Sequence, residues 1–249
     1  MRIAAWNIQN GGGKRIDGIA RALFEVDSDI CVLSEFVNAS SQRLTSALND
    51  VGYDHVLHTE PEGRWGGILV ASRLPIELRE ISDCPSPGRW LHIAIPAIHL
   101  EIGAAYIPNA ERSRTEKAEY WKWLLDAGAK LVGRAAIICG DFNTGMPYVD
   151  EKDKTLKCSE LMGQMLQTQW TDLWRKSHLD RRESSWWSTH GNGFRLDHAF
   201  SSPSAVTRCS GAEYVTNVRD QCVAHPYRSH VGCENRALSD HSMLVVDIN

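Results

Sequence analysis

The sequence predicts an α/β protein. Short apolar runs that are typical of strands alternate along the chain with longer segments whose apolar residues recur at helical spacing. Hydrophobic residues make up 43% of the 249 residues, and no linker rich in proline, glycine or serine divides them. This composition supports a sizeable core, and we expect a single domain over residues 1–249.

Two strand-then-helix units open the chain. Segments 2–6 and 30–33 are apolar runs that predict strands. Helical spacing predicts a helix after each strand, the first with Ile16, Ile19, Ala20, Leu23 and Phe24 on its apolar face and the second with Leu44, Ala47, Leu48 and Val51. The three glycines at 11–13 lack the spacing of a phosphate-binding P-loop, and we interpret them as a strand-to-helix turn.

Strands followed by a long helix fill the middle of the chain. Segments 66–72 and 91–106, the second interrupted at Pro96, predict consecutive strands. A helix begins near Ser113, and the residues on its apolar face are Ala118, Trp121, Leu124, Leu125 and Leu131. This helix leads into an apolar strand that ends at Asp141. The second half of the chain repeats the order of strands, helix and strands.

The most informative segment is the end of that strand, Gly140-Asp141-Phe142-Asn143. Side chains alternate across a strand, so Asp141 and Asn143 are expected to point the same way while Phe142 faces the opposite side. Gly140 permits the backbone to turn. An acid and an amide delivered together at the end of a buried strand indicate a place where chemistry occurs.

Further acids, an amide and an imidazole lie next to other predicted strands, as Asp141 does. Asn7 follows the first strand and Glu35 follows the second, while Asp197, Asp240 and His241 flank apolar runs near the other end. Taken singly, each has an ordinary explanation, such as a capped turn or a solvated loop acid. Together they are arranged like one site gathered from several strands.

The motifs around these residues resemble the endonuclease/exonuclease/phosphatase superfamily, which includes DNase I, exonuclease III-like abasic-site endonucleases and several inositol and nucleotide phosphoesterases. In chain order, the resemblance is carried by Trp6-Asn7-Ile8-Gln9, the Glu35 segment, Tyr106-Ile107-Pro108-Asn109, Gly140-Asp141-Phe142-Asn143, Arg195-Leu196-Asp197 and Ser239-Asp240-His241. It implies a DNase I-like α/β fold, a four-layered α/β/β/α sandwich with two mixed sheets face to face.

Within this superfamily the chain resembles the abasic-site endonuclease branch most nearly. Arg112 follows the tyrosine motif closely, and Trp186, Phe194 and Leu196 match the positions of that branch's substrate pocket. The resemblance therefore implies that these side chains, with Asn109, bind substrate.

The resemblance also implies a metal and a histidine in the chemistry. Glu35 suits Mg²⁺, or Mn²⁺, because these hard cations prefer oxygen ligands, and Asn7 and Asp240 would border the same ion. Asp197 would orient His241 and favour its cationic form, which can hold a non-bridging phosphate oxygen.

The remaining implied roles concern the attacking water. Asp141 would position or deprotonate it, and Asn143, which cannot titrate, would orient the water or the phosphate. Tyr106 would contact the phosphate, with Asn109 fixing its loop. The residue types alone would also permit Asp141 and Asp197 to exchange duties.

The expected reaction is metal-dependent hydrolysis of nucleic acid, DNA rather than RNA, by direct attack of water. Two alternatives stay open. The formal charge of -4, from 27 basic and 31 acidic side chains, favours a phosphoesterase for a small phosphorylated molecule, a phosphoinositide or a nucleotide. The other alternative is a binding module that has lost turnover.

Phosphate binding needs only a few basic groups on one face. The late arginines that could supply such a face, or merely a solvated surface, are Arg208, Arg219, Arg228 and Arg236. The chain shows no signal-peptide pattern and no apolar run of about 20 residues, so we expect a soluble cytoplasmic protein without membrane contacts. We predict no protein partner.

The 7 cysteines do not form the pattern of a secreted disulfide framework. Cys31 and Cys139 fall inside predicted strands, and we expect them in the core. A late segment offers zinc-type ligands at a spacing unlike that of a finger or ribbon, and a surface loop is the competing interpretation; its four residues are Cys222, His225, His230 and Cys233.

Overall fold

The computed structural model describes residues 1–61, 66–110, 113–224 and 237–249. In chain order its strands are β1 (Arg2–Asn7), β2 (Ile30–Phe36), β3 (His55–His58), β4 (Gly67–Ser72), β5 (Glu77–Arg79), β6 (Trp90–Ile95), β7 (Leu100–Tyr106), β8 (Ala136–Asp141), β9 (Thr171–Asp172), β10 (Trp186–Trp187), β11 (Gly193–Phe194), β12 (Asp197–Ser201), β13 (Cys209–Val215), β14 (Asn217–Val218), β15 (Gln221–Cys222) and β16 (Met243–Ile248). Its α-helices are α1 (Ile16–Glu25), α2 (Ser41–Asn49), α3 (Arg114–Leu131), α4 (Ser159–Leu166), α5 (Leu173–Ser177) and α6 (Pro203–Val206). Short 3-10 turns cover Gly13–Arg15, Asn38–Ser40, Pro87–Arg89 and Pro96–Ile98.

The main strands form two six-stranded mixed sheets. The first sheet has the strand order β13-β16-β1-β2-β4-β3, and the second has the order β5-β6-β7-β8-β12-β9. Each sheet contains one parallel pair, β1 with β2 and β7 with β8, and its other neighbours are antiparallel. A helix connects each parallel pair, α1 in the first sheet and α3 in the second, because parallel neighbours require a crossover.

Alternate side chains of each sheet enter different cores. Ile3 of the first sheet and Ile102 of the second pack in the core between the sheets. On the outer face of the first sheet, Ala4 packs with Ile19 of α1. On the outer face of the second sheet, Ile138 packs with side chains of α3 and α4. Helices therefore cover both outer faces of two stacked sheets, which confirms the predicted sandwich.

The two long predicted helices occur nearly where the sequence places them. Ser113 caps α3, because its hydroxyl accepts a hydrogen bond from the Glu116 N–H at 3.1 Å. Helix α1 buries Leu23, but Phe24 is 52% exposed, since it falls at the edge of the apolar stripe and turns toward solvent. No helix in the described parts of the chain combines the length and hydrophobicity that crossing a bilayer requires.

Some strands differ from the sequence prediction in their bounds. β2 runs past the predicted end at position 33 and includes Glu35, and the 3-10 turn at Pro96 separates β6 from β7. β12 begins at Asp197, so Arg195 precedes the strand rather than lying in it. Cys31 and Cys139 are fully buried in β2 and β8, as expected.

Strand direction brings the polar ends together. In the second sheet, Tyr106 at the end of β7 lies opposite Asp141 at the end of parallel β8. Because β12 is antiparallel to β8, its first residue, Asp197, lies on the other side of Asp141. In the first sheet, Asn7 ends β1 and Glu35 lies near the end of parallel β2. Glu35, Tyr106 and Asp141 from these ends line one cavity, and Asn7 and Asp197 lie next to them.

Candidate active site

The cavity has a volume of about 540 Å³ and receives side chains from both sheets. Glu35 reaches it from the first sheet, and Tyr106 and Asp141 reach it from the second. Asp240 and His241, which directly precede β16, complete its polar wall. Groups from near the beginning and near the end of the chain therefore face one space, as the sequence predicts.

Glu35 sits on an irregular part of its strand. The register between β2 and β4 shifts between Ser34 and Phe36, and the backbone of Glu35 is left-handed with a φ of 62°. This bulge turns the carboxylate toward the cavity. Gly66 lies against it so closely that a Cβ there would come within 2.6 Å of the Glu35 Cα, so only glycine fits.

The Glu35 carboxylate is held by three donors. Oε1 accepts a hydrogen bond from Asn7 Nδ2 at 3.0 Å and a longer one from the Tyr106 hydroxyl at 3.4 Å. Oε2 accepts from the Asn10 backbone N–H at 2.8 Å. Since an ionised carboxylate offers about four lone-pair sites, acceptor capacity remains on the side of the cavity.

Residues 9–13 after β1 form a left-handed turn. All five have positive φ, between 50° and 74°. Glycine adopts this conformation without strain, and asparagine tolerates it better than most residues. Arg15 fixes the turn by donating to the carbonyls of Gln9 and Leu238, the first at 2.5 Å. The glycine run is thus a strand-to-helix turn, as interpreted, and it delivers the Asn10 N–H to Glu35.

Asn7 joins the two sheets through its amide. Nδ2 donates to Glu35 Oε1 and, at 2.9 Å, to Asp141 Oδ2, while Oδ1 accepts from the Gln9 N–H at 2.9 Å. The nitrogen that faces the two carboxylates is a donor and cannot bind a cation. This arrangement favours an orienting role for Asn7 over the ligand role predicted for it.

Asp141 is buried, and the loop that follows it donates hydrogen bonds to its carboxylate. Oδ1 accepts from the Asn143 backbone N–H at 2.8 Å, and Oδ2 accepts from Asn143 Nδ2 at 3.1 Å. The same Nδ2 donates to the Ile107 carbonyl at 3.0 Å, which ties this loop to the one after β7. Phe142 faces the outer core, as expected from strand alternation. Burial raises the pKa of Asp141 from 3.8 to about 7; the charge of His241 opposes this rise, and that of Asp197 adds to it.

His241 and Asp197 form a buried pair. The Asp197 Oδ2 lies 2.8 Å from His241 Nδ1, and the other oxygen, Oδ1, has no hydrogen-bond partner among the described residues. Burial acts to lower the pKa of His241, but the charge of Asp197 outweighs it and the pKa rises to about 10. The imidazole is therefore cationic at neutral pH. We call Asp141, Asp197 and His241 the His241 cluster.

An aromatic wall lies beside this cluster. Trp186 and Phe194 have ring centroids 5.8 Å apart, and both line the cavity together with Leu196. Trp186 Nε1 donates to Asp240 Oδ2 at 3.1 Å, so Asp240 also orients the indole. The structure thus brings these predicted substrate-binding residues together at the polar groups.

Tyr106 and Asn109 also line the cavity. Burial raises the pKa of the Tyr106 phenol, with the charge of Glu35 adding to the shift, so its hydroxyl is a donor at neutral pH. The Arg89 guanidinium lies over its ring, 4.3 Å from the centroid. Arg112 lies outside the described residues.

Parts of two other predictions also fall outside the described residues. They are His225, His230 and Cys233 of the zinc-type segment and the arginines Arg228 and Arg236. Among the members that are described, Cys222 is half-buried. Arg208 donates to the Ile98 carbonyl at 3.0 Å, Arg219 pairs with Glu25 at 2.5 Å, and neither lines the cavity.

One residue of the cavity, Lys117, was not predicted from the sequence. It is 1% exposed, it lines the cavity from α3, and its Nζ donates to the Asn143 carbonyl. Burial lowers its pKa from 10.5 to about 8, although the neighbouring acids oppose the shift. A lysine on the apolar face of a predicted helix, between Ala118 and the capped helix start, is the signal that could have revealed it.

Two serines also hold the site: Ser185, which was not predicted, and Ser239, which the sequence offered only as a member of a motif without a role. Ser185 Oγ accepts from the N–H groups of Leu196 and Asp197 at 2.9 and 3.1 Å. Ser239 Oγ donates to the Asn7 carbonyl at 2.5 Å and accepts from the His241 N–H at 3.2 Å. Both hydroxyls bind backbone groups of distant segments, so the residue types alone could not assign these roles.

A second buried ionic group lies near the cavity but does not line it. Arg195 donates to both oxygens of Asp172, at 3.2 and 2.6 Å, and its Nε donates to Asp150 Oδ1 at 2.7 Å. Burial acts to raise the pKa of each aspartate, but the charge of Arg195 outweighs it, and both pKa values fall. We call Arg195, Asp150 and Asp172 the Arg195 cluster.

The residues facing the cavity fit a hard divalent cation. Glu35 and Asp240 offer carboxylate oxygens toward one open space, and Mg²⁺ typically uses one or two carboxylates and keeps several waters. The ligand atoms of the His241 cluster also lie within 4.8 Å of one another, but a metal there would compete with the bond between Asp197 and His241. The oxygen set at Glu35 fits better.

Known proteins share both the sequence family and the fold. The family model described as the Endonuclease/Exonuclease/phosphatase family matches residues 4–241. No curated protein matches the sequence significantly.

Three solved structures share the fold over the whole chain. An AP endonuclease from Archaeoglobus fulgidus has a TM-score of 0.81 at 21% identity, with 100% of this chain and 99% of that chain covered. The 3′ phosphatase NExo from Neisseria, bound to a product DNA hairpin, has a TM-score of 0.80 at 18% identity, with 100% and 99% covered. The 3′-5′ exonuclease NExo from Neisseria meningitidis has a TM-score of 0.77 at 17% identity, with both chains covered to 100%.

Proposed function

The chain belongs to the Endonuclease/Exonuclease/phosphatase family and is a hydrolase of phosphoester bonds, and we propose that it cleaves nucleic acid, DNA rather than RNA, with a divalent cation. The observation that carries the proposal is the common cavity. Its lining includes the carboxylates of Glu35 and Asp240, the Asp141 and His241 side chains and the aromatic wall, which supports the proposal.

The cation proposed is Mg²⁺ or Mn²⁺, held by Glu35 with Asp240 facing the same space. Bound there, it would neutralise the charge that develops on the phosphate oxygens. Asn7 keeps the Glu35 carboxylate oriented, and the Asn10 N–H holds its second oxygen.

The protein groups perform the remaining steps. Asp141 positions a water and accepts its proton, and its two hydrogen bonds from Asn143 fix the direction of the free lone pairs. His241, kept cationic by Asp197, donates from Nε2 to a non-bridging oxygen as charge develops. Tyr106 donates its hydroxyl hydrogen to the phosphate. The water oxygen bonds to phosphorus as the bond to the leaving oxygen breaks, and the leaving alkoxide takes a proton from solvent, so no covalent intermediate is required.

The aromatic wall supports nucleic acid as the substrate. Trp186 and Phe194 present ring surface beside the catalytic groups, and stacking of a base or sugar on such rings tolerates many sequences. The names of the similar structures point the same way, since one is an AP endonuclease and another was solved with a DNA hairpin. The cellular location, which we predict to be the cytoplasm, does not bear on the choice of substrate.

The test is a panel of substrates. Pure protein would be incubated with supercoiled plasmid, single strands, a duplex with one abasic site, a duplex with a 3′ phosphate and RNA, each with Mg²⁺, Mn²⁺ or EDTA. We expect cleavage of at least one DNA substrate with either cation, and none with EDTA. The Asp141→Asn variant is the control for a contaminating nuclease. Equal cleavage in EDTA, or no cleavage of any nucleic acid, would refute the proposal.

A small phosphorylated molecule is the second candidate, and the net charge of -4 favours it. Ionic strength distinguishes the two. Neutralising several phosphates makes nucleic-acid binding weaken steeply with salt, whereas a substrate with a single phosphate depends on salt far less. A KM that stays constant between low and high salt would favour the small substrate.

A further inference from the structure

Three exposed hydrophobic side chains lie on two segments that hydrogen bonds hold together beside the cavity. Among the described residues, only five large hydrophobic side chains are exposed, and three of them are Tyr148 at 61%, Val149 at 44% and Leu179 at 75%. Arg182 joins their two segments, because its Nη2 donates to the Tyr148 carbonyl at 2.7 Å. We call residues 148–154 and 179–182 the rim patch.

Tyr148 has an unusual backbone. Its φ is 63°, in the left-handed region that bulky residues rarely adopt. Its N–H donates to the Asp153 carbonyl at 3.2 Å, which closes a tight turn. Asparagine or glycine would make this turn with less strain, and a residue that is 61% exposed returns little burial in compensation. A strained turn that presents an aromatic ring to solvent is better explained by contact with a ligand.

The rim patch continues into the catalytic cavity along the same loop. Thr155, Leu156 and Lys157, which follow directly, line that cavity. The segment from Arg182 likewise leads to Trp186 on the aromatic wall. A chain-like ligand that extends beyond the catalytic groups on this side would therefore meet the rim patch next.

Two buried carboxylates hold this loop in place. Asp150 Oδ2 accepts from the Met146 N–H at 2.8 Å, while its Oδ1 binds Arg195. Glu151 Oε2 accepts from the Thr155 N–H at 2.8 Å and from its hydroxyl at 2.5 Å. Both acidic residues are 3% exposed. The loop is thus anchored from below, and Tyr148 is presented at a fixed position relative to the cavity.

The loop is cationic at its surface, in contrast to the chain as a whole. Between positions 145 and 157, the exposed charged residues are Lys152, Lys154, Lys157 and Asp153, since the other two acids are buried. On the neighbouring segment, Arg181 pairs with Glu183 at 2.6 Å. An excess of lysines beside an aromatic ring is the combination that suits a phosphate backbone with a stacked base.

We propose that the rim patch binds the nucleic-acid strand as it leaves the catalytic cavity, with a base stacked on Tyr148 and phosphates at Lys152, Lys154 and Arg182. The inference rests on nucleic acid being the substrate and adds to that the path of the strand. A protein partner fits less well, because the apolar area is limited to three side chains and is bordered by lysines.

The first test changes only the ring. Tyr148→Asn keeps a residue that tolerates positive φ, so the loop should fold at least as well as in the parent protein. With a long DNA substrate we expect KM to rise about fivefold or more, the loss expected from one stacked base, with kcat unchanged. Tyr148→Phe should behave like the parent protein. Phe24→Asn removes an aromatic side chain of similar exposure, 52%, from helix α1 and should have no effect.

The second test changes the charge. Lys152→Ser with Lys154→Ser should reduce the slope of log affinity against log salt by about 1.4 for single strands, or about 0.7 for each phosphate that a lysine no longer neutralises. Lys122→Ser with Lys130→Ser removes two exposed lysines from helix α3 and should leave the slope unchanged. An equal change in both double variants would show a general charge effect and would overturn the proposal.

A small chromogenic phosphodiester, thymidine 5′-(p-nitrophenyl phosphate), separates the strand path from the nuclease proposal. It can occupy the cavity but cannot reach the rim patch, so Tyr148→Asn should hydrolyse it at the parental rate.

If the parent protein cleaves DNA and Tyr148→Asn retains the parental KM, the strand path proposed here is wrong while the nuclease proposal stands. If the parent protein hydrolyses only the small ester, the nuclease proposal fails and the strand path with it. If Tyr148→Asn alters self-association and leaves DNA binding intact, the patch is a protein contact and our inference is wrong.

Discussion

The two buried ionic clusters adjoin the same strand, β12, and they differ in how their charges are balanced. In the Arg195 cluster, one guanidinium donates to both aspartates, and Arg175 adds a further bond to Asp150 at 3.2 Å. In the His241 cluster, the imidazole bonds to Asp197, the pKa of Asp141 is raised to about 7, and Asp197 Oδ1 has no partner among the described residues.

The difference distinguishes a structural cluster from a functional one. Buried charges are tolerated when they are paired and fully hydrogen-bonded, which describes the Arg195 cluster. The His241 cluster retains unused acceptor capacity and an acid near its titration point, and of the two it alone faces the cavity. Such a group gains its missing partners only when water, a cation or substrate is present, which is typical of catalytic sites.

The largest effect expected is on activity, in the His241 cluster. Asp141→Asn removes the proton acceptor, and we expect hydrolysis of a phosphodiester substrate to fall about a thousandfold or more. Thermal unfolding of the same variant should occur at an unchanged or higher temperature, because the substitution removes an incompletely balanced buried charge. A variant that loses stability in proportion to activity would show that Asp141 is structural.

A substitution in the Arg195 cluster should instead lower the stability of the protein. Arg195→Met leaves two buried carboxylates without their main partner and should lower the free energy of unfolding by about 3–5 kcal/mol, measured by urea denaturation. The exposed pair of Arg43 and Asp17 provides the control, since Arg43→Met should cost less than about 1 kcal/mol. Similar costs for the two variants would contradict the contrast between the clusters.

A cation should stabilise the protein by binding at Glu35 in the cavity, and the Arg195 cluster should not contribute to this gain. At a concentration of Mg²⁺ or Mn²⁺ about a hundred times its Kd, we expect a gain of about 2.7 kcal/mol in the parent protein. Glu35→Gln should lose most of this gain, whereas Asp172→Asn should keep it. The measurement is the metal-dependent shift in unfolding temperature, so it does not rely on activity. Equal shifts in the parent protein and Glu35→Gln would place the metal elsewhere.

The last effect expected is a pH dependence of stability without metal. The pKa of Asp141 is raised from 3.8 to about 7 in the folded protein, so its contribution to stability is fully present below about pH 4 and is lost as the pH rises through 7. Asp141→Asn removes this dependence. In EDTA, the variant should therefore gain stability relative to the parent protein between pH 4 and 7, with little further change above. A constant difference across this range would show that Asp141 is ionised throughout.

The sequence was sufficient for the main outline of this fold. Apolar runs with period two locate β1, β2 and β8, and a capped amphipathic segment locates α3, because these signals are local. The convergence of Glu35 and His241 came from the order of family motifs, and the cavity confirms that both face one space. The catalytic and binding roles given to these residues stay predictions.

What the sequence did not reveal depends on tertiary contacts. The left-handed backbone of Glu35 arises from a strand bulge packed against Gly66, and no local pattern encodes it. Arg195 was interpreted as one residue of a motif, but its role in the structure is to pair with two aspartates from distant segments. Asn7 was predicted to border the metal ion. Its amide hydrogens instead donate to the carboxylates of Glu35 and Asp141, which favours an orienting role.

That amide has a mechanical consequence. Each of its two hydrogens is committed to an acid on a different layer of the sandwich, Glu35 on one and Asp141 on the other. Sliding or spreading of the layers would lengthen the bond to Asp141, together with the bonds that join Tyr106 to Glu35 and His241 to Asp197, so all three links resist widening of the groove. Widening the groove for a bulky ligand would therefore cost the hydrogen bonds that hold the polar groups in place.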